Sequence, residues 1–232
     1  ELKNLSKCIK SGWVSTGGQY VQEFENQITK FTKSKYSVAL NSGTSALDLS
    51  LKAINVKSGD EIIVPTITFI APINAILYNN AKPIFMDTDD YGNLDIGKIK
   101  NFLTKETEFK KNFTINKRTK KKIKAIIIVH VFGNVAEVNK LISICKKKNI
   151  KIIEDASESL GSFFLSPNMK KHSGTFGDIG CFSFNANKII TTGAGGAIVT
   201  NSKKIFKKVQ HISTQAKKDA IKFIHDEVGY NM

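Results

Sequence analysis

Lys188 is the residue of this chain best set for covalent chemistry. It lies in Gly180-Cys181-Phe182-Ser183-Phe184-Asn185-Ala186-Asn187-Lys188-Ile189-Ile190, and the glycine cluster Gly193-Ala194-Gly195-Gly196 follows it. Most other lysines fall in stretches that read as solvated faces. An amine among small and apolar residues is poorly solvated, which favours its neutral, nucleophilic form. The glycines permit positive φ or a close backbone approach. Asp155 is the second candidate. It follows the apolar run Lys151-Ile152-Ile153-Glu154, and a carboxylate at the end of a buried strand needs a cation or a full set of hydrogen bonds. A protonated pyridine nitrogen would serve, and so would a helix N-terminus.

Three further places could contribute. Asn41-Ser42-Gly43-Thr44-Ser45-Ala46-Leu47 is a small, glycine-containing turn that opens a helix, and free N–H groups there suit a phosphate. Ordinary N-capping by Ser42 or Thr44 accounts for the same residues equally well. Phe69, in Pro65-Thr66-Ile67-Thr68-Phe69, can stack on a planar ring or fill core, and core is the commoner use. His130 closes the run Ala125–Val129; a lone histidine there is more often a hydrogen-bonded structural residue than a catalyst. Taken together, a phosphate-holding helix start, a stacking aromatic, an aspartate and a half-buried lysine are the parts that a pyridoxal 5'-phosphate (PLP) site requires. They occur in that order along the chain.

The elements that must position them alternate. Strands are predicted over 36–40, 61–64, 83–86, 125–129, 151–154, 180–184 and 196–200. Helices are predicted over 45–54, 71–78, from about 96, over 135–148 and from about 202, and an earlier one over Val21, Phe24, Ile28 and Phe31. Residues 1–18 read as irregular. The basic stretch 105–124 has no clear period and reads as a surface insertion. Strands that are apolar throughout, alternating with helices, imply an α/β fold with a mostly parallel sheet covered on both faces. Ligands then bind at the C-terminal ends of the strands, where all the candidates lie.

Composition narrows the function. The chain has 232 residues, 41% hydrophobic, and a net charge of +15. That charge is nearly all lysine, with Arg118 the single arginine, and the lysines are scattered. Nucleic-acid recognition leans on arginine for its forked geometry, so nucleic acid is not expected as a partner. The positive field suits an anionic substrate such as a nucleotide-sugar. Cys8, Cys145 and Cys181 form no CxxC pair, which fits a reducing compartment and no metal site. No apolar run approaches the ~18 residues of a membrane span, and no signal peptide is visible, so the cytoplasm is the expected location. The chain starts at Glu1 and stops at Gly229-Tyr230-Asn231-Met232; both ends are expected to be cut.

The chain resembles the DegT/DnrJ/EryC1/StrS sugar aminotransferases, of PLP-dependent transferase fold type I. The resemblance runs from about Gly12 to Met232. Its blocks are NSGTSALDLSLKA (41–53), GDEIIVPTITFIAPINAI (59–76), VHVFGN (129–134), IIEDASESLGS (152–162), GDIGCFSFNANKIITTGAGGAIVT (177–200) and HDEVGYN (225–231). It implies a large domain with a mostly parallel seven-stranded sheet flanked by helices, and a small C-terminal domain that this chain lacks. Lys188 would carry the cofactor and shuttle the proton, and Asp155 would pair with the ring nitrogen. Phe69 would stack on the ring. Gly43, Thr44, Ser45 and Ser183 would hold the phosphate, with Asn231 reaching it from the neighbouring subunit of a homodimer. Glu158 stands near the ring where many members have Gln or His.

The resemblance implies transfer of an amino group, with L-glutamate as donor, to a nucleotide-linked 4-keto-6-deoxy sugar used in surface glycan biosynthesis. The segments 12–25 and 211–231 are most similar to the legionaminic acid and bacillosamine-type branch. Relatives with His in place of the lysine catalyse dehydration, so Lys188 favours transamination. A PLP-dependent sugar dehydratase and a non-catalytic regulator of the same fold are the alternatives.

Overall fold

The computed structural model describes residues 1–14, 18–219 and 221–232. Ser15, Thr16 and Gly17 of the glycine-rich N-terminal segment lie outside the described residues.

The elements follow in the order α1 (Leu2–Ser11), α2 (Gln19–Thr32), β1 (Tyr36–Leu40), α3 (Gly43–Ala53), β2 (Glu61–Pro65), α4 (Ile70–Tyr78), β3 (Lys82–Met86), α5 (Ile96–Lys105), β4 (Thr107–Lys110), β5 (Phe113–Asn116) and β6 (Lys122–Val129). After a short 3-10 turn at Val131–Gly133 come α6 (Asn139–Lys147), β7 (Lys151–Asp155), β8 (Phe163–Ser166), β9 (Met169–His172), β10 (Ile179–Ser183), β11 (Gly196–Thr200), α7 (Lys203–Ser213), β12 (Lys217–Asp219) and β13 (Ile224–His225).

Seven strands run in the order β1-β11-β10-β7-β6-β2-β3. The pairs β10–β7, β7–β6, β6–β2 and β2–β3 are parallel. β11 alone runs against its neighbours β1 and β10, so β1 and β10 point the same way. The expected α/β fold with its seven-stranded, mostly parallel sheet is therefore present, and β4 and β5 enlarge the sheet to nine strands.

Period-two alternation divides the strand residues between two cores. Ala125, Ile127 and Val129 of β6 join Leu47 and Leu51 of α3, Ile76 of α4 and Val209 of α7 on one face. Ile126 and Ile128 join Ile99 and Leu103 of α5 and Leu141 and Cys145 of α6 on the other. Each such side chain, once withdrawn from water, contributes roughly 1.5–3 kcal/mol. α2 covers the β10–β11 end through Phe24 and Ile28 against Phe182, Phe184 and Val199.

Three expectations need correction. Residues 1–18 are not irregular throughout: Leu2–Ser11 is a helix closed by Gly12 at φ 72, and none of its residues is buried. The stretch 105–124 is not a structureless insertion. β4 and β5 form a hairpin around Lys111 and Asn112, both at positive φ, and β5 pairs antiparallel with β6. Its inward residues are polar, Thr114 bonding the Lys148 carbonyl at 2.6 Å and Asn116 the Glu61 carboxylate at 2.9 Å, so no apolar alternation marks it. The helix expected from Val135 starts at Asn139, and the Ala136 N–H ahead of it bonds His130 Nδ1 at 3.1 Å. The β8–β9 hairpin was also not expected.

Candidate active site

The C-terminal ends of β1, β2, β6, β7 and β10 open onto one cavity of about 630 Å³. Gly43, Thr44, Phe69, Asp155, Glu158, Ser183 and Lys188 all line it.

Ser42 caps α3, its hydroxyl accepting the Ser45 N–H at 3.0 Å. The first N–H groups of a helix have no intrahelical partner, so those of Gly43 and Thr44 remain for an anion at the cavity wall. A Cβ on Gly43 would come 2.8 Å from Ser183 Cβ; glycine keeps this cradle open. Ser45 does not line the cavity. Its hydroxyl is engaged with Ser42 Oγ at 2.9 Å and Asn41 Oδ1 at 2.5 Å.

Asp155 ends β7 and is buried. One carboxylate oxygen accepts the Ser157 N–H at 3.1 Å. Burial pushes its carboxyl above its ordinary value, against the hydrogen bonds from Ser157 and the nearby charge of Lys188. An anion this poorly solvated is stabilised by a cation brought into the cavity. Lys188 Nζ lies on the same cavity, with a side chain 15% exposed, 3.2 Å from Glu158 Oε1. Phe69 precedes α4 and is 73% exposed, so its ring is not core and is free to meet a planar ligand.

His130 follows the structural reading. It is buried, its Nδ1 accepts from Ala136, and its Nε2 lies 2.9 Å from Glu154 Oε2, which fixes the proton on Nε2. Glu154 is fully buried. It also accepts from the backbone N–H groups of Gly174 at 2.9 Å and of Phe176 and Gly177 at 2.6 Å each. Glu154 is the residue before Asp155 in β7. Phe132 takes φ 51 and ψ 25 at the cavity wall, a left-handed conformation that disfavours a bulky residue by roughly 1–2 kcal/mol.

Thr68, Asn185 and Asn187 also line the cavity and were not singled out by the sequence. The only signal was adjacency, since Thr68 precedes Phe69 and Asn187 precedes Lys188. The Thr68 hydroxyl is buried without a hydrogen-bond partner, and the Asn185 amide donates to Asn187 Oδ1 at 3.3 Å. Asn231 is not in the cavity of its own chain; it bridges to Thr214.

The residues fit PLP: free N–H groups at a helix start, a buried carboxylate, an amine and an exposed aromatic all line one cavity. Comparison with known proteins agrees. The model of the DegT/DnrJ/EryC1/StrS aminotransferase family matches residues 1–232. GDP-perosamine synthase of Escherichia coli O157:H7 is 37% identical over 232 residues, covering all of this chain and 58% of that protein. The UDP-4-amino-4,6-dideoxy-N-acetyl-beta-L-altrosamine transaminase of Campylobacter jejuni (serotype O:23/36) is 35% identical over 234 residues, covering all of this chain and 57% of that protein. The chain thus spans little more than half the length of these curated relatives. Among solved structures, NtdA of Bacillus subtilis with bound cofactor PMP superposes with a TM-score of 0.82 at 27% identity, over 99% of this chain and 48% of that one. With the fold, the cavity and the whole-length match in agreement, the chain belongs to the DegT/DnrJ/EryC1/StrS aminotransferase family.

Proposed function

We propose that this chain is the large, PLP-binding domain of an aminotransferase that moves an amino group from an amino acid, L-glutamate, to a nucleotide-linked 4-keto-6-deoxy sugar. The observation that carries the reading is the convergence of Lys188, Asp155, Phe69 and the Gly43–Thr44 cradle on one cavity. PLP, when bound, supplies an electron sink for the bonds at the amino-bearing carbon. Lys188 Nζ would anchor the cofactor covalently and would take and return the proton. Asp155 holds the positive charge on the ring nitrogen. Gly43, Thr44 and Ser183 bind the phosphate and fix the ring's position, with Ser45 supporting the cap from behind. Phe69 covers one face of the ring and excludes water.

Asn231 lies outside its own cavity, which is in keeping with the homodimer in which it completes a partner's phosphate site. The perosamine synthase and altrosamine transaminase relatives support a nucleotide-sugar acceptor for glycan biosynthesis, and the cytoplasm is where such an acceptor would be met. Among the described residues, no helix is long and apolar enough to cross a membrane. A lysine at position 188 favours transamination over sugar dehydration.

The test is to incubate the protein with PLP, reduce with borohydride and map the modified peptide by mass. A phosphopyridoxyl group on Lys188 alone is the expected result. Labelling spread over surface lysines, or none, overturns the site. Formation of 2-oxoglutarate from L-glutamate in step with sugar amination then separates transamination from dehydration.

A further inference from the structure

Glu158 joins three segments that leave different strands. It follows β7, yet its Oε1 lies 3.2 Å from Lys188 Nζ, beyond β10, and its Oε2 accepts the Phe132 N–H at 3.2 Å, beyond β6. The backbone packs at the same point. Gly133 is at φ 86, and a Cβ there would stand 3.1 Å from the Glu158 carbonyl oxygen. The left-handed Phe132 is thus held by a carboxylate whose other oxygen holds the amine. Asp155, the second carboxylate on the cavity, bonds Ser157 instead.

We propose that Glu158 is a positioning residue, clamping the Lys188 amine to the turn Val131–Gly133 and giving it up when the cofactor is captured. The release rests on the PLP reading above; the clamp does not. On capture the ammonium gives one proton to solvent, the nitrogen forms its double bond to the aldehyde carbon, and the aldehyde oxygen leaves as water. The ion pair with Glu158 is lost in that step, so the pair opposes cofactor binding. Glutamine at 158 has one acceptor oxygen and no charge, and cannot hold both partners.

Amide exchange at Phe132, read without PLP by fragmentation of the peptide spanning 130–136, tests the clamp. Lys188→Ala is expected to raise that exchange several-fold, and to add nothing when combined with Glu158→Ala. Unchanged exchange, or the same rise in both backgrounds, overturns the clamp. PLP titration tests the release: Glu158→Gln is expected to bind PLP about two- to five-fold more tightly, the worth of a partly exposed ion pair. Equal or weaker binding overturns it. If PLP fails to label Lys188 in either protein, the cofactor reading falls, and the exchange measurement still decides the clamp.

Discussion

Glu154→Ala is expected to destabilise the protein by about 3–5 kcal/mol, because it leaves four buried hydrogen-bond donors without their acceptor. The magnitude follows from counting donors. Glu154 is fully buried. Its Oε1 accepts from Phe176 and Gly177, and its Oε2 from His130 and Gly174. Removing the side chain orphans all four, and each buried orphan costs roughly 1–3 kcal/mol; partial relaxation of the 173–177 loop keeps the sum near the lower end. Glutamine keeps one acceptor oxygen and turns an amide donor toward the other pair, so Glu154→Gln should lose about 2 kcal/mol, between wild type and alanine. Urea denaturation followed by circular dichroism measures both, with the slope unchanged if the denatured state is unaffected. A loss below ~1 kcal/mol in Glu154→Ala, the level of an ordinary surface change, would refute the idea that this network ties β6, β7 and the 173–177 loop together.

Two more outcomes follow from the cavity. Burial raises the folded-state pKa of Asp155 above its ordinary value of 3.8, so the folded protein holds that proton more readily than the unfolded chain. Stability on this account is greatest below 3.8 and falls as pH rises through the raised folded value. Asp155→Asn should therefore stabilise the cofactor-free protein at neutral pH, do nothing well below pH 3.8, and weaken PLP binding. Thermal melts at the two pH values and a PLP titration check this, and equal melting at neutral pH contradicts it. Phe69→Ala removes a ring that is 73% exposed, so stability should change by under about 0.5 kcal/mol. PLP affinity should drop roughly two- to ten-fold, for a lost stacking worth ~0.5–1.5 kcal/mol. A large loss of stability with unaltered affinity would mean that the ring is core.

The strands and their ends were legible because the Ile- and Val-rich runs are buried on both faces and cannot be mistaken for solvated loops. That placed Lys188, Asp155, Phe69 and Gly43 at one edge of the sheet before any coordinates. The β4–β5 hairpin was hidden because its inward residues are Thr107, Thr114 and Asn116, whose partners lie in distant segments. The shortened α6 was illegible because Val135 and Val138 continue the apolar spacing of Leu141 and Cys145, although the helix begins only at Asn139. Ser45 and Thr44 look interchangeable in the sequence. Only the side-chain bonds of Ser45 to Asn41 and Ser42 show that one faces the cap and the other the cavity. Glu158 stood out as a departure from the family, but its link to Phe132 depends on a left-handed turn that bulky residues rarely adopt.

The reversed strand β11 has a kinetic consequence. Tyr36 of β1 pairs with Thr200 and Leu40 with Gly196, so among the described residues the only strand partner of β1 is one synthesised much later. A Cβ on Gly196 would lie 2.2 Å from the Ser42 carbonyl oxygen, so the turn after β1 is seated directly on β11. Closing so long a loop is entropically unfavourable before its contacts form, and such pairings are slow. The central parallel strands can collapse around β6 and β7 while the turn at Ser42–Thr44 is still unmade. Refolding monitored by the return of PLP binding should therefore lag behind the recovery of secondary structure, with that turn among the last pieces to settle.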